Sequence, residues 1–502
     1  MWKIYTVQTW QNFTCKEWQL IKTVQKKVVI KSVIWKFMER GSAQIIQFFV
    51  SIVLARLLAP QDFGIIALVL IFTSIANIFV QSGLSTSLIQ KRDADDLDFS
   101  SVFYFSLAIA AILYAVLFAT APAIACFYNR SDLTPVIRIL SCTLFFGALS
   151  SVQEAYVARN MLFKKLFYRS ILATLPAGCI SVILAFKGLG VWALVTQQLV
   201  SNFLICILMW LTIEWRPRWI FSFHRIKSLF SFGWKLLASS LLDSFYTNLH
   251  SLVIGKIFKP EALGFYNRGS QFPSLVINNI DTSIQAVLLP SLSSIQDDRE
   301  QLKRIMRRAI KTSSFIVFPL LSCLAVCSQS LVEIMLGAKW LPCVPFIQIC
   351  CITYAFWPIH TSNLSAINAI GRSDVFLKLE IIKKAIGITI LILMIVLWRS
   401  AISVAISGAI TSIVCCFVNT YPNKKFISYG LDEQLQDILP YLFLSLGISG
   451  IAYTFTFLSL PTWALLLMQI VFCTFGYAFT VKLLKIECFE YLWKAFRGAK
   501  FA

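Results

Sequence analysis

Ionisable and amide side chains recur inside the long apolar segments of this 502-residue chain. Such groups are costly in hydrocarbon, so they usually face a water-filled cavity or a partner. Arginine and lysine there would offer several hydrogen-bond donors to phosphate oxygens, and amides would contact sugars with little selectivity. The pattern therefore predicts a partly cationic cavity for an amphiphile that carries negative charge. The residues assigned to this cavity are Arg40, Lys235, Asp243, Arg268, Asn278, Asp281 and Gln285.

Spacing places several of these residues on shared helix faces. Lys235 and Asp243 are eight residues apart, and Arg268 and Asp281 are thirteen apart, so each pair lies near one face of a helix. A purely structural salt-bridge network explains the same pattern and stays open as an alternative. A second group could line the cavity or its mouth, or serve as helix anchors and packing residues. Its members are Glu39, Arg56, Glu154, His250, Lys256 and Asn363.

The composition around these residues is that of a membrane protein. Hydrophobic residues make up 58% of the chain and charged residues only 14%, whereas a soluble protein has about 25% charged residues. Apolar runs of about twenty residues recur, each long enough to cross the hydrocarbon core as a helix. We expect an all-α integral membrane protein with about fourteen transmembrane helices. Their approximate limits are 32–58, 63–89, 100–127, 134–158, 167–187, 189–213, 229–257, 264–292, 312–337, 342–370, 376–398, 400–421, 437–459 and 462–484.

The distribution of lysine and arginine predicts the orientation. The chain has a net charge of +21, and its bases gather in alternate connections, which is the pattern of cytoplasmic loops. We therefore expect a multi-pass protein of the bacterial inner (cytoplasmic) membrane with both termini in the cytoplasm. Because loop charge explains the excess of bases, nucleic acid is not expected as a partner. The segment 295–311 predicts a basic amphipathic helix at the inner interface, for which anionic membrane lipids are sufficient partners.

A short corner sequence occurs twice in the chain. "LARLLAPQDFGIIA" at 54–67 aligns with "IGKIFKPEALGFYN" at 254–267, and both the proline and the glycine match. Each corner joins the first two spans of a six-span block, so we expect two six-helix lobes in a parallel pseudo-two-fold repeat plus two C-terminal helices. The expected parts are a basic N-terminal extension, the first lobe, a cytoplasmic linker, the second lobe, the last two spans and a basic cytoplasmic tail. Their limits are 1–31, 32–213, 214–228, 229–421, 437–484 and 485–502.

Enzymatic and metal chemistry find little support in the sequence. The three His and fourteen Cys lack metal-ligand spacing, and most of the Cys lie in apolar runs as small hydrophobic residues. The acidic run "RDADDLD" at 92–98 is better explained by a solvated loop than by a metal site. No nucleotide-binding loop is present. We expect no enzyme, no metal and no cofactor, with energy drawn from a gradient of H+ or Na+, from the substrate gradient or from a partner.

Eight segments, taken in order, resemble the bacterial polysaccharide flippases of the Wzx type. These form the colanic-acid-exporter-like branch of the multidrug/oligosaccharidyl-lipid/polysaccharide exporter superfamily. The resemblance runs from about residue 30 to 421 and more loosely to 485. The segments are "ARLLAPQDFGIIA", "GLSTSLIQKRD", "AYVARNMLFKKL", "GVWALVTQQL", "FGWKLLASSLLDSF", "VIGKIFKPEALGFYNRGSQFPSL", "LLPSLSSIQDDREQLKR" and "MLGAKWLPCVPFIQI".

The resemblance implies a two-lobe fold that works by alternating access. It implies export of an undecaprenyl-diphosphate-linked oligosaccharide from the cytoplasmic to the periplasmic leaflet, for O-antigen, capsule or exopolysaccharide. A polysaccharide polymerase and chain-length proteins are the further partners that it implies. His250 departs from the acid that related sequences tend to have in the motif "NLHSLVIGK", which puts any proton-coupling role of this position in doubt.

Other functions are compatible with parts of the pattern. A cation-coupled small-molecule exporter of the multidrug type, or a flippase for another lipid-linked precursor, would share the superfamily fold. The multidrug exporter would need acidic cavity groups and a twelve-span core. An integral-membrane glycosyltransferase or polymerase would need a large periplasmic loop with catalytic carboxylates, and the base-poor connections are too short for one. A scaffold without transport activity is disfavoured by the charges inside the spans.

Overall fold

The computed structural model describes residues 35–36, 38–39, 41–81, 83–91, 93–296, 298–486 and 488–489. Every regular element within these ranges is helical, as the sequence predicts. Two short 3₁₀ helices, Ala338–Cys343 and Phe455–Phe457, accompany the α-helices. The α-helices in chain order are α1 (Gly41–Leu57), α2 (Pro60–Gln81), α3 (Leu84–Gln90), α4 (Asp96–Phe127), α5 (Leu133–Leu140), α6 (Thr143–Arg159), α7 (Phe163–Phe186), α8 (Val191–Thr212), α9 (Phe223–Ile257), α10 (Pro260–Ser293), α11 (Arg299–Met335), α12 (Val344–Ala355), α13 (Trp357–Ala369), α14 (Ser373–Trp398), α15 (Ala401–Ile427), α16 (Leu431–Thr454) and α17 (Thr462–Leu483).

Helices that are long and apolar enough to cross a membrane make up most of the chain. Eleven such stretches occur in the described ranges, judged by length and composition. Helix α1 is apolar but shorter, and α9 and α10 lie outside the eleven although each is more than thirty residues long. All three coincide with predicted spans, so the structure is that of a multi-pass membrane protein. The total of fourteen crossings stays a prediction.

Three of the predicted spans consist of two helices each. Span 63–89 divides before Gly83, whose φ of 65° is a left-handed conformation that glycine adopts without strain. Span 134–158 divides at Ser141, whose hydroxyl donates to the carbonyl of Ile137 at 2.7 Å, a back-bond that bends helices. Span 342–370 begins with a 3₁₀ turn and divides at Phe356, because Pro358 cannot supply an amide within the helix and favours a new first turn.

Helix α11 combines a predicted interfacial helix with a predicted span. It runs without interruption for 37 residues. Asp298 caps its first turn by accepting a hydrogen bond from the backbone N–H of Gln301 at 2.9 Å. The buried residues Leu302, Met306 and Ile310 recur every four positions, so one apolar stripe continues from the basic first turns into the span. The expected boundary between the two segments at 311–312 is therefore absent.

Contacts divide the chain into two compact units. Unit 1 comprises Met1–Leu58 and Leu68–Thr247, and unit 2 comprises Ala59–Ala67 and Asn248–Ala502. Helix α9 contributes residues to both units. The lobe limits expected from the sequence stay a prediction.

The core of unit 1 is an apolar cluster with aromatic walls. Helices α3, α4, α6 and α8 contribute to it, and Phe99 and Phe103 pack against Trp215 with ring centroids 5.8 and 6.3 Å apart. Its fully buried members include Leu84, Leu88, Val102, Val152 and Val157. These contacts hold α6 in place, which positions the polar groups of that helix.

In unit 2 the two repeated corners pack directly against each other. A β-carbon at Gly64 would overlap the carbonyl oxygen of Pro260, and one at Gly264 would overlap the carbonyl oxygen of Pro60. Glycine is therefore required on both sides so that the two backbones can approach. The sequence repeat thus becomes a reciprocal backbone contact.

Candidate substrate-binding clusters

Unit 1 holds four ionised side chains from three helical segments, here called the charged cluster: Lys36, Glu39, Glu154 and Arg169. At its centre, Nη1 of Arg169 donates to Oε1 of Glu154 at 2.9 Å, and Nη2 lies 3.6 Å from Oε1 of Glu39. Oε2 of Glu39 in turn lies 2.7 Å from Nζ of Lys36. The exposed fraction of the side chain is 8% for Arg169 and 10% for Glu39, but 46% for Glu154. The cluster thus reaches from the interior of the unit to an accessible carboxylate.

The connection between α6 and α7 positions the centre of the charged cluster. It comprises residues 160–162, with Met161 at a φ of 53°. Glu154 lies near the end of α6 and Arg169 near the start of α7, so the two side chains meet close to this connection. Glu39 and Glu154 are among the site residues predicted from the sequence, whereas Arg169 is not.

One donor of the buried guanidinium has no acceptor among the described residues. Nε of Arg169 is fully buried and makes no hydrogen bond within the described part of the chain. A buried guanidinium is stable only when carboxylates or other acceptors surround it, so Glu39 and Glu154 are needed to hold it. The two positive and two negative charges of the charged cluster sum to zero. An anionic group that approached Glu154 from the accessible side would compete for the same guanidinium.

In unit 2, two hydrogen bonds join α10 to α13. The Thr361 hydroxyl donates to Oδ1 of Asp281 at 2.5 Å, and the Ser365 hydroxyl donates to Oε1 of Gln285. Asp281 and Gln285 are four residues apart on α10, and Thr361 and Ser365 are four residues apart on α13. The two hydrogen bonds therefore lie one turn apart on the facing surfaces of these helices. Asp281 forms no ion pair with a base in the described residues.

Arg268 of α10 lies among aromatic rings next to the repeated corners. Its guanidinium carbon is 4.2 Å from the ring centroid of Phe63 and 5.9 Å from that of Trp340. Nη1 donates to Oε1 of Gln271 at 2.7 Å. The residue is only 7% exposed. These cation–π contacts assign Arg268 a structural role at the corner, and its predicted role in a substrate cavity stays a prediction.

Asn363 of α13 belongs to a buried set of amides and hydroxyls, here called the amide network: Asn363, Thr420, Asn423 and Gln434. Asn363 and Gln434 exchange hydrogen bonds, with Nδ2 to Oε1 at 3.1 Å and Nε2 to Oδ1 at 3.0 Å. The Thr420 hydroxyl donates to Oε1 of Gln434, and Nδ2 of Asn423 donates to Oδ1 of Asn363 at 2.7 Å. The network joins α13 and α15 to α16. The other three members are not among the predicted site residues, and their bonds to Asn363 or to each other span between 14 and 71 positions of the sequence.

Both histidines within the spans of unit 2 pair with α15. Nε2 of His250 lies 3.2 Å from the Ser407 hydroxyl. His360 lies between the Ser412 hydroxyl, at 3.3 Å from Nε2, and the Asn419 amide, at 3.2 Å from Nδ1. The hydroxyl beside His250 and the hydroxyl and amide beside His360 are neutral partners, and the role of His250 stays a prediction.

The remaining predicted site residues are not brought together by these contacts. Five of them have exposed side chains: Lys235, Asp243, Asn278, and Arg56 and Lys256 at the ends of α1 and α9. Arg40 lies outside the described residues. Whether any of the predicted residues contacts a substrate stays a prediction.

The acidic run that precedes α4 is a capping and ion-pairing element. Asp95 accepts a hydrogen bond from the backbone N–H of Asp98, and this bond lowers the pKa of the Asp95 carboxyl below its usual value. Asp98 is paired with Lys91 at 2.6 Å and lies 3.6 Å from Arg225. Asp96 lies 2.9 Å from Arg218, so three acids of the run have partners within this unit. Across the described ranges, no group of three or more His, Cys, Asp or Glu is arranged to hold a metal ion.

Comparison with family models and curated proteins places these clusters in context. A family model described as "Polysaccharide biosynthesis protein" matches residues 53–345. The teichuronic acid biosynthesis protein TuaB of Bacillus subtilis (strain 168) is 25% identical over 304 residues, which cover 60% of this chain and 63% of that protein. The lipopolysaccharide biosynthesis protein WzxC of Escherichia coli (strain K12) is 24% identical, covering 66% and 68%. The succinoglycan biosynthesis transport protein ExoT of Rhizobium meliloti (strain 1021) is 22% identical, covering 70% and 72%.

Solved structures share the fold at low sequence identity. A structure of the lipid II flippase MurJ in an inward closed conformation matches with a TM-score of 0.74 and 15% identity, over 90% of this chain and 98% of that chain. An inward-facing multidrug resistance transporter of the MATE family, within the MOP superfamily, matches with a TM-score of 0.60 and 14% identity, over 78% and 98%. The helical arrangement is therefore that of a transporter fold.

Proposed function

The chain belongs to the family of polysaccharide biosynthesis proteins, and on that premise we propose that it is a flippase for lipid-linked saccharides. It moves undecaprenyl-diphosphate-linked oligosaccharide repeat units from the cytoplasmic to the periplasmic leaflet by alternating access. The product serves the synthesis of a surface polysaccharide. The three relatives support this proposal, since their names refer to teichuronic acid, lipopolysaccharide and succinoglycan.

The observation that carries the proposal is the charged cluster. A guanidinium that is 92% buried among membrane-type helices is costly, and it is retained where it contacts a polar substrate or partner. Arg169 keeps one buried donor without an acceptor among the described residues, and the adjacent Glu154 is nearly half exposed. A phosphate or diphosphate would supply acceptors to a guanidinium of this kind.

Energy coupling, orientation and partners extend the same proposal. We propose coupling to H+ or Na+, with Asp281 as the candidate carboxylate, because it pairs with a hydroxyl and with no base in the described residues. The protein would lie in the inner membrane with both termini in the cytoplasm, as the alternation of loop charge predicts. A polymerase and chain-length proteins would act on the exported units.

The experiment is deletion of the gene in a strain without a second flippase of this kind. We expect loss of surface polysaccharide and accumulation of lipid-linked repeat units that face the cytoplasm. Surface polysaccharide is measured on immunoblots, and the sidedness of the lipid is measured by sugar labelling of intact spheroplasts. The wild-type gene is then reintroduced into the deletion strain. Export is measured with and without a protonophore or a sodium ionophore to identify the coupling ion.

Two outcomes would contradict the proposal. Normal surface polysaccharide in the deletion strain would exclude a required role in export. Unchanged polysaccharide together with increased sensitivity to cationic drugs would favour the multidrug-type exporter instead. An Asp281→Asn chain that keeps full export and full dependence on the ion gradient would remove Asp281 as the coupling group, without affecting the substrate assignment.

A further inference from the structure

Unit 2 contains a basic cleft where the first turns of α11 lie against the end of α15. Its volume is about 450 Å³. It is lined by four bases and one acid, together with a buried isoleucine and a serine hydroxyl. The lining residues are Arg299, Glu300, Lys303, Arg304, Arg307, Ile427 and Ser428.

Two of the four bases are already held by carboxylates of α16. Nζ of Lys303 lies 2.7 Å from Oε2 of Glu433. Nε and Nη2 of Arg307 donate to Oδ2 and Oδ1 of Asp437 at 2.6 and 2.8 Å. These pairs fix the wall of the cleft. The remaining side chains of the lining are available to a ligand.

Two guanidinium groups and one hydroxyl are the groups that remain. Arg299 and Arg304 are exposed, and neither forms an ion pair in the ranges that the structure describes. The left-handed backbone of Ser428, at a φ of 56°, ends α15 beside them. The N-terminus of α11 is already capped by Asp298, so the side chains and not the helix end form the site.

The two arginines without an ion pair define the ligand. Among the seven lining residues, Arg299 and Arg304 are the bases that no carboxylate holds in the described ranges. Two guanidinium groups match a diphosphate diester, which carries one negative charge on each phosphorus atom. A glycerophosphate diester would engage only one of them. Guanidinium groups bind phosphate oxygens through paired hydrogen bonds.

The length of α11 places the cleft at the level of lipid headgroups. A helix of 37 residues is about 55 Å long, whereas the hydrocarbon core is about 30 Å thick. The charged first turns therefore project beyond the hydrocarbon. This end belongs to the base-rich connections, which the sequence predicts to face the cytoplasm.

We propose that this cleft binds the diphosphate of a lipid-linked saccharide in the cytoplasmic leaflet, as a loading site built from residues other than the charged cluster. The inference depends on the proposed function and adds a second, separate contact for the same substrate. Arg299 and Arg304 would hold the diphosphate, and Ser428 would donate a further hydrogen bond.

The test is equilibrium binding to the purified full-length chain in phosphatidylcholine nanodiscs. The probe is a radiolabelled synthetic polyprenyl diphosphate monosaccharide. We expect Arg299→Gln/Arg304→Gln to raise its Kd by about tenfold or more, since two charge-assisted contacts are lost. Arg299→Lys/Arg304→Lys keeps the charge but loses the paired geometry, so an intermediate Kd is expected. The matched control is Lys187→Gln/Arg399→Gln, which removes two exposed charges elsewhere and should leave the Kd unchanged.

The competing outcomes are distinct. Equal Kd values for the wild type and Arg299→Gln/Arg304→Gln would overturn the loading site while leaving the proposed function intact. Wild-type protein that does not bind the probe at all would count against the proposed function as well. An equal loss of phosphatidylglycerol binding would show a general anionic-lipid site, and full competition by inorganic pyrophosphate would show a site for free phosphates. Either of these two results would overturn the inference.

Discussion

The charged cluster of unit 1 and the amide network of unit 2 are both polar sets buried among apolar helices, but they are built differently. The charged cluster contains four charged side chains and exposes nearly half of Glu154. In the amide network, Asn363 and Gln434 use each other's donors and acceptors. The first arrangement can respond to a charged ligand, whereas the second is suited to holding helices together.

The physical difference lies in what the loss of one partner leaves behind. Removing one member of a buried ion pair leaves an uncompensated charge, which costs about 3–5 kcal/mol. Removing one amide leaves an unsatisfied neutral group, which costs roughly 1–3 kcal/mol. The same low dielectric that increases the first cost also strengthens the pull of Arg169 on an anion. The charged cluster is therefore more costly to disrupt than the amide network, and it attracts an anion more strongly.

The largest expected effect is that of Arg169→Ala. It leaves Glu154 without a base in the described residues and Glu39 paired with Lys36 alone, so we expect a loss of about 3–5 kcal/mol of stability and loss of export. The measurements are thermal unfolding of the purified protein and surface polysaccharide in the complemented deletion strain.

A neutral replacement of the same cluster separates folding from function. Glu39→Gln/Glu154→Gln/Arg169→Met carries no charge at these three positions, so we expect it to recover most of the stability that Arg169→Ala loses. Export should stay lost, because the guanidinium is still absent. Full export by the triple variant would show that the charged cluster is structural, and the contrast with the amide network would then disappear.

An intermediate effect is expected where the two repeated corners touch. Gly64→Ala and Gly264→Ala each drive a β-carbon into a proline carbonyl oxygen, a backbone group that cannot move aside. We expect each to lower stability by about 1–3 kcal/mol, measured as thermal unfolding. Gly447→Ala in α16 is the control, since no atom lies within 4 Å of the added carbon and alanine favours helix there. Equal unfolding temperatures for all three variants would refute the reciprocal contact.

The smallest effect is expected in the amide network. Asn363→Leu and Gln434→Leu should each lower the free energy of unfolding by an amount near the lower end of roughly 1–3 kcal/mol. Each leaves part of the other amide without its hydrogen-bond partner. The double variant should cost less than the sum, with a coupling of about 0.5–3 kcal/mol. Export per folded molecule should be unchanged, in contrast to Arg169→Ala. A strong loss of export at normal protein level would place the amide network in the transport pathway as well.

Prediction from the sequence reached the fold more fully than the site. The all-helical membrane class, most span limits and the corner repeat follow from apolar run length and from local spacing, which a single sequence displays. The predicted list included Glu39, Glu154 and Asn363 but not Arg169, Gln434 or Asp437. Arg169 lies near the start of the predicted span 167–187, whereas α7 begins earlier, at Phe163, so that Arg169 lies further inside the helix than predicted. Gln434 bonds to a residue 71 positions away, which no local pattern reveals.

The sequence by itself determined where the chain is apolar enough to enter a membrane, where its bases accumulate and where glycine and proline recur. These are one-dimensional properties, and the bilayer acts on them segment by segment. Only the tertiary structure decided which polar groups meet, because the course of the chain between α6 and α7 and the approach of α13, α15 and α16 set their partners. It also decided that the repeated glycines at 64 and 264 serve a single backbone contact, which the repeat alone could not distinguish from two separate turns.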